Sequence, residues 1–376
     1  MKAIAPAVSY RAGRRPSRGA VAGLLVSLTL VAASALAPAS ALAAAPPGFV
    51  GLQGWERPTS PQLDALQRAN VKVFRAQLNW SAVQPTRGGA YQWGNYDRRV
   101  ADAGQRGITI LPVLLGSPPW AASKVAYPPS GAENRTAFYR FAAAAARRYS
   151  PRSRFWSSQG LDGATVGVRS LQVWNEPNLP EYWNNKPNAG GYARLVKGAD
   201  QYIKAYGNPG AKTILAGLPY ARSAVNPSDF LRGMFRRDPK IYNSFQAAAV
   251  HAYARTPSYA IDYGVRPFRT TLNRLLPRGV YRGLWITEIG WATGKPDGRF
   301  QVSSSTQASY LQSFYSKLLA IRKSHRIKGA IWFSLADYDD QSWWAERTGL
   351  ITRNGTNKPS WFRLKCVTGA PTSTRC

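Results

Sequence analysis

The chain has 376 residues, 44% of them hydrophobic, and carries 50 Lys or Arg against 18 Asp or Glu, a formal net charge of +32. Its only cysteines, Cys366 and Cys376, sit in the C-terminal tail and cannot hold a core, and His251 and His325 lie far apart with no cysteine near them, which argues against a zinc site. No run beyond residue 43 is apolar for long enough to span a bilayer, so no stable membrane insertion is expected after it. At the N-terminus Arg11, Arg14, Arg15 and Arg18 precede an uncharged run from Gly19 that ends in small residues around Ala41-Leu42-Ala43. This reads as a secretory signal cleaved after Ala43, with a transmembrane anchor as the rival and the export route, twin-arginine or general, left open. Removing residues 1–43 takes away five basic groups and leaves a chain of net charge +27, to be found outside the cell or at the cell wall. Such a charge favours polyanions, and for an exported protein acidic glycans, wall polymers or lipid headgroups come before nucleic acid; a basic surface tolerated for solubility is the other reading.

From Phe49 onward short apolar runs alternate with longer amphipathic ones. Strand candidates begin at 49 (FVGLQGW), 71 (VKVFRAQL), 108 (ITILPVLLG), 170 (SLQVWNE), 212 (KTILAGLP), 245 (FQAAAVHAY), 283 (GLWITEIG) and 327 (IKGAIWFSLAD). The helix-like stretches between them include PQLDALQRAN, ENRTAFYRFAAAAARRY, GYARLVKGADQYIKAYG, SDFLRGMFRR and STQASYLQSFYSKLLAIRKSHR, several opened by Ser, Asn or Asp and closed by Gly or basic residues. Eight such units predict an α/β fold, a (β/α)8 TIM barrel, as a single domain over residues 44–365, with 366–376 as a tail. A doubly wound sheet is the rival, but no Gly-rich phosphate turn follows an early strand. Residues 150–169 form one long irregular insertion that enters the fourth strand from the bottom face, where it serves stability rather than chemistry. A disulfide between Cys366 and Cys376 would pin the tail.

Two strands end in acid. In SLQVWNEPN, Pro177 takes the chain out of the sheet and leaves Glu176 on the rim; in GLWITEIGW, Glu288 ends the seventh strand before Gly290. The glutamates are 112 residues apart in sequence but only three strands apart around a closed ring. Cleavage of a glycosidic bond calls for such a pair, one carboxyl to protonate the leaving oxygen and one to meet the developing positive charge.

WNEPN followed by TEIGW resembles the clan A retaining glycoside hydrolases built on the (β/α)8 barrel, over nearly the whole chain after the leader, and GSPPWA after the third strand leans toward family 39, with family 5 as its neighbour. The resemblance implies that Glu176 is the acid/base and Glu288 the nucleophile, and that Asn175 binds the sugar 2-hydroxyl. It implies that Arg75 keeps the nucleophile ionised, that His251 and Tyr253 orient the carboxylates, and that Trp332 in AIWFSLAD floors the subsite nearest cleavage. It implies a poly- or oligosaccharide substrate, which the net charge of +27 extends to acidic glycans, and no metal or organic cofactor. Family 39 β-xylosidases continue into a β-sandwich where this chain closes with GLITRNGTNKPSWFRLK, so no particular sugar follows from the likeness. Trp120 in GSPPWAAS, with Trp55, Trp80, Trp291, Trp343 and Trp344, is either a ring for sugars to stack on or core. Asp337, Asp339 and Asp340 are either a cation site or a hydrated loop over the cleft. The expected activity is that of a secreted retaining β-glycoside hydrolase. A non-catalytic glycan-binding barrel, or a wall- or polyanion-binding protein, is the alternative.

Overall fold

The computed structural model describes residues 44–54, 56–294, 300–338, 343–373 and 376; the expected leader at 1–43, Trp55, Asp339 and Asp340 lie outside the described residues. All eight expected strands form: β1 (Val50–Gln53), β2 (Val73–Asn79), β3 (Thr109–Leu115), β4 (Ser170–Val173), β5 (Lys212–Pro219), β6 (Ala247–His251), β7 (Gly283–Ile289) and β8 (Ile327–Phe333). Each pairs in parallel with its neighbours, and β1 pairs with both β2 and β8, so the sheet is a closed (β/α)8 TIM barrel.

One principal helix follows each strand: α1 (Ser60–Arg68), α2 (Gly94–Gly104), α3 (Gly131–Arg148), α4 (Ala189–Tyr202), α5 (Pro227–Arg237), α6 (Arg266–Leu275), α7 (Ser304–Ile321) and α8 (Pro359–Thr368). Local chemistry sets several ends. The Thr59 side chain accepts from the Gln62 N–H while Gln62 reaches back to the Thr59 N–H, a reciprocal cap on α1. Asn226 caps α5 with Pro227 at its first position, and α8 ends at Gly369, whose φ of 69° suits a residue without Cβ. Helices α2, α3, α6 and α8 start without a side-chain cap. Among the described residues no helix is long and apolar enough to cross a membrane.

Side chains alternate across each strand, so the sheet has an outer face under the helices and an inner face in the ring. Phe74, Leu114, Val173, Leu215, Val250 and Ile286 lie in the large apolar shell between sheet and helices. Each fully buried large apolar side chain there contributes about 1.5–3 kcal/mol. Inside the ring, Val73, Leu111, Ile214, Ala247, Ala249 and Trp285 form a smaller cluster. Above that layer, toward the strand C-termini, the inner positions turn polar: Gln53 stands beside Arg75 on β1 and β2, and His251 beside Glu288 on β6 and β7. A barrel filled with apolar groups below and ionisable groups above has its chemistry at one end.

The 150–169 insertion is not irregular throughout. It holds two short helical turns, Arg154–Ser158 and Gly163–Val166, and buries Phe155 and Trp156, whose indole donates to the Ser150 carbonyl. Beside it Arg148 grips Asp97 through both carboxylate oxygens at 2.7 and 2.6 Å. It leads into the N-terminal end of β4, the face opposite the ionisable layer. Cys366 and Cys376 are bonded, as expected, and the Ala45 N–H donates to the Val367 carbonyl at 2.8 Å.

Candidate active site

Strand β4 stops at Val173, and the next three residues turn sharply: Trp174 and Glu176 both occupy the left-handed region, with φ of 69° and 45°. For residues with a Cβ that conformation costs about 1–3 kcal/mol each and persists where the surroundings impose it. Pro177 keeps the chain from rejoining the sheet, and the Glu176 carboxylate is left over the mouth of the barrel. Strands β6 and β7 supply His251 and Glu288 directly, from adjacent register positions. On β5, Gly217 makes room for them: a Cβ there would collide with His251 Nε2 and Thr287 Oγ1.

The network converges on Glu288. Arg75, 1% exposed, donates from Nη1 to Glu288 Oε1 at 2.6 Å, and Tyr253 donates its hydroxyl to Glu288 Oε2 at 2.9 Å. The remaining guanidinium hydrogens hold Arg75 in place: Nε donates to Gln172 Oε1 at 2.9 Å, Nη2 to Asn175 Oδ1 at 2.8 Å, and Nη1 also to Gln53 Oε1. His251, wholly buried, spans the two carboxylates, with Nδ1 2.7 Å from Glu176 Oε1 and Nε2 3.5 Å from Glu288 Oε1. Tyr182 sits beside Asn175, close enough to feel both carboxylate charges.

These surroundings drive the two carboxyls apart. Burial pushes Glu176 above the usual carboxylate range; the hydrogen bond and charge of His251 pull against that, while the neighbouring Glu288 charge adds to it. Burial also works to raise Glu288, but the His251 and Arg75 charges and the hydrogen bonds from Tyr253 and Arg75 outweigh it and hold the group below that range. The Tyr253 hydroxyl is raised well above its ordinary value by burial and by both carboxylates, so it stays a donor.

The sequence thus located Glu176, Glu288, Arg75, Asn175, His251 and Tyr253, and the structure brings all six together. Trp332 is a correction. It is fully buried on the outer face of β8, against Trp291, with its indole donating to the Thr348 carbonyl at 2.9 Å. Phe333, one residue on and therefore on the opposite face, packs with Ala292, Phe300, Trp344 and Tyr253 and takes the inner position instead. Trp120 is half-buried on the third strand's loop; its partners are Trp80, Arg87 and the Gln84 carbonyl rather than a carboxylate of the pair. Trp80 and Trp291 are core, and Trp344 is buried beside Tyr253. Asp337 is no cation ligand: its Oδ1 accepts from the buried Lys358 ammonium at 2.7 Å and from the Gly349 N–H. Sequence reasoning missed Gln53, Gln172 and Tyr182. A glutamine in the apolar strands VGLQ and SLQV was a usable signal for the first two; nothing in PEYW singled out the third.

Donor atoms of Glu176, His251 and Glu288 lie within 4.8 Å of one another, a set that could in principle ligate a metal ion. The Arg75 guanidinium already occupies Glu288 Oε1, so a dication would be placed against a fixed positive charge. The arrangement suits a diffuse, transient positive charge better than a resident metal.

No protein-family model matches the sequence, and no curated protein matches it. Solved structures do share its fold. A family 39 glycoside hydrolase from the gut symbiont Bacteroides cellulosilyticus superposes with a TM-score of 0.64 at 19% identity, over 86% of this chain and 64% of that one. A monomeric β-xylosidase from Caulobacter crescentus gives 0.62 at 16% identity, over 84% and 67%. An endo-β-1,4-glucanase from Xanthomonas axonopodis pv. citri gives 0.58 at 13% identity, over 86% of this chain and 99% of the other. The chain therefore spans under two thirds of the first enzyme and nearly all of the third, and the barrel is what they have in common.

Proposed function

We propose that the protein is a retaining β-glycoside hydrolase acting on poly- or oligosaccharides, exported by the leader at 1–43. The observation that carries the reading is one pair of carboxyls, one raised and one lowered, with donor oxygens no more than 4.8 Å apart. Inverting enzymes separate their carboxyls by about 6.5–9.5 Å to seat a water, and retaining ones by about 5–5.5 Å. The fold shared with glycoside hydrolases supports the same reading.

In the first step the ionised Glu288 attacks the anomeric carbon while protonated Glu176 gives its proton to the glycosidic oxygen. The carbon–oxygen bond breaks, the leaving sugar departs as an alcohol, and the glycosyl group is esterified to Glu288. Tyr253 and Arg75 share the Glu288 charge before attack and stabilise it again on release. In the second step Glu176, now a carboxylate, takes a proton from water, whose oxygen bonds to the anomeric carbon and frees Glu288. Asn175, held by Arg75, presents its amide beside the nucleophile, at the 2-hydroxyl side of the sugar. A binding-only barrel would gain little from burying Arg75 against Glu288, because desolvating two charges costs several kcal/mol per ion.

The test is stereochemical. Proton NMR of the first product should show the β anomer before mutarotation, and a 2-fluoro sugar should label the peptide holding Glu288. Inverted product, or a label on Glu176, would overturn the mechanism.

A further inference from the structure

Between the loops that follow β3 and β4 lies a second cavity of about 690 Å³, within the roughly 300–1,000 Å³ usual for ligand sites. Tyr127 and Trp183 form its aromatic floor, Ser130, Asn184 and Asn188 supply polar groups, and the exposed Lys186 supplies charge. Lys124 lies over the Tyr127 ring at 5.1 Å and adds a second cation beside it. No aspartate or glutamate is among its lining residues. The shape is built in advance: the Tyr127 hydroxyl donates to Asn185 Oδ1 at 2.5 Å, tying one loop to the other, while Asn184 and Asn185 both adopt the left-handed conformation, with φ of 52° and 58°.

The groove and the catalytic pair share the loop that follows β4. Tyr182 lies close enough to both carboxylates to feel their charge, and the next residue, Trp183, lines the groove. Tyr127 and Trp183 are buried and back the groove, and the amides and hydroxyls around them match the hydroxyls of a sugar. Two lysines with no acid among the lining select for negative charge.

We propose that this groove is an outer subsite that binds an anionic sugar unit, carboxylated or sulfated, of the glycan chain cut at Glu176 and Glu288. Its role as a subsite rests on the glycosidase reading; its binding of anionic sugars does not.

The test is therefore an affinity measured by calorimetry on the wild-type chain, with tetragalacturonate, a sulfated carrageenan tetrasaccharide and neutral cellotetraose as probes. At least one anionic probe should bind about tenfold more tightly than the neutral one, and Lys186→Glu should erase most of that difference. Lys212→Glu, an equal charge change on the opposite face of the barrel, should leave it intact. Tight binding of one anionic probe alone identifies the substituent. Equal binding of all three probes, or equal loss in Lys186→Glu and Lys212→Glu, would overturn the proposal by assigning the effect to shape or to net charge. The glycosidase reading is scored separately, by turnover of an aryl glycoside too short to reach the groove. Lys212→Glu should leave that rate unchanged, and a wild-type chain with no turnover but selective binding would sink the activity while sparing the groove.

Discussion

At the scale of single residues, the proposed function rests on two glutamates with unlike surroundings. Glu176→Ala should lower turnover of a natural glycan by about 10²–10⁴-fold, the usual contribution of a general acid, yet spare the first step on an aryl glycoside whose leaving group needs no proton. Burst kinetics on the two substrates would separate these cases, and an equal loss on both would refute the assignment. The pH profile follows from the directions of the shifts. Glu288 must be ionised, and its value is lowered, so kcat/KM should fall only on the acid side of the ordinary glutamate range; Glu176 must be protonated, and its value is raised, so the alkaline fall should come above that range. Arg75→Met removes a charge that holds Glu288 low and should move the acid limb upward. It should also destabilise the fold by about 3–5 kcal/mol, since the partner charge is left buried, which thermal unfolding would register. A profile with unmoved limbs would show that Arg75 does not set the Glu288 proton affinity.

Elements divide into those the sequence reveals and those it hides. Each strand carried its own apolar run and its own stop, so eight strands were legible, and the two acidic residues stood out because each ended such a run. What alternation could not show was the facing of β8. In AIWF every residue is apolar, and without a polar position in the run nothing distinguishes Trp332 on the outside from Phe333 on the inside. Tyr182 was hidden for another reason: a short turn at Pro180–Tyr182 folds it back on Asn175, a contact that no sequence periodicity encodes. The 150–169 insertion was read for its place in the chain rather than its structure, and its place gives a prediction. Trp156→Ala, at a side chain 2% exposed, should cost about 3–5 kcal/mol of stability, visible as a lower denaturant midpoint, while kcat of the folded fraction stays the same. A changed kcat would mean that the bottom of the barrel reaches the carboxylates.

For the whole molecule, the barrel separates its tasks by height: apolar packing below, ionisable groups above, and the tail fastened beneath. Opening the Cys366–Cys376 link by Cys366→Ser should therefore cost no more than about 3 kcal/mol, because a cross-link closing so short a loop restricts the unfolded chain little. Calorimetry should show that loss with kcat/KM unchanged; a fall in kcat/KM would show the tail coupled to the mouth. The backbone bond from Ala45 to Val367 sets both ends of the described chain side by side where β1 begins and α8 finishes, at the pole away from Glu176 and Glu288. The molecule is in this respect like a cup with its handle under the base. Attached to a bead, a fibre or a second module by either end, it would stand with its opening outward, free to meet a polymer too large to diffuse around it.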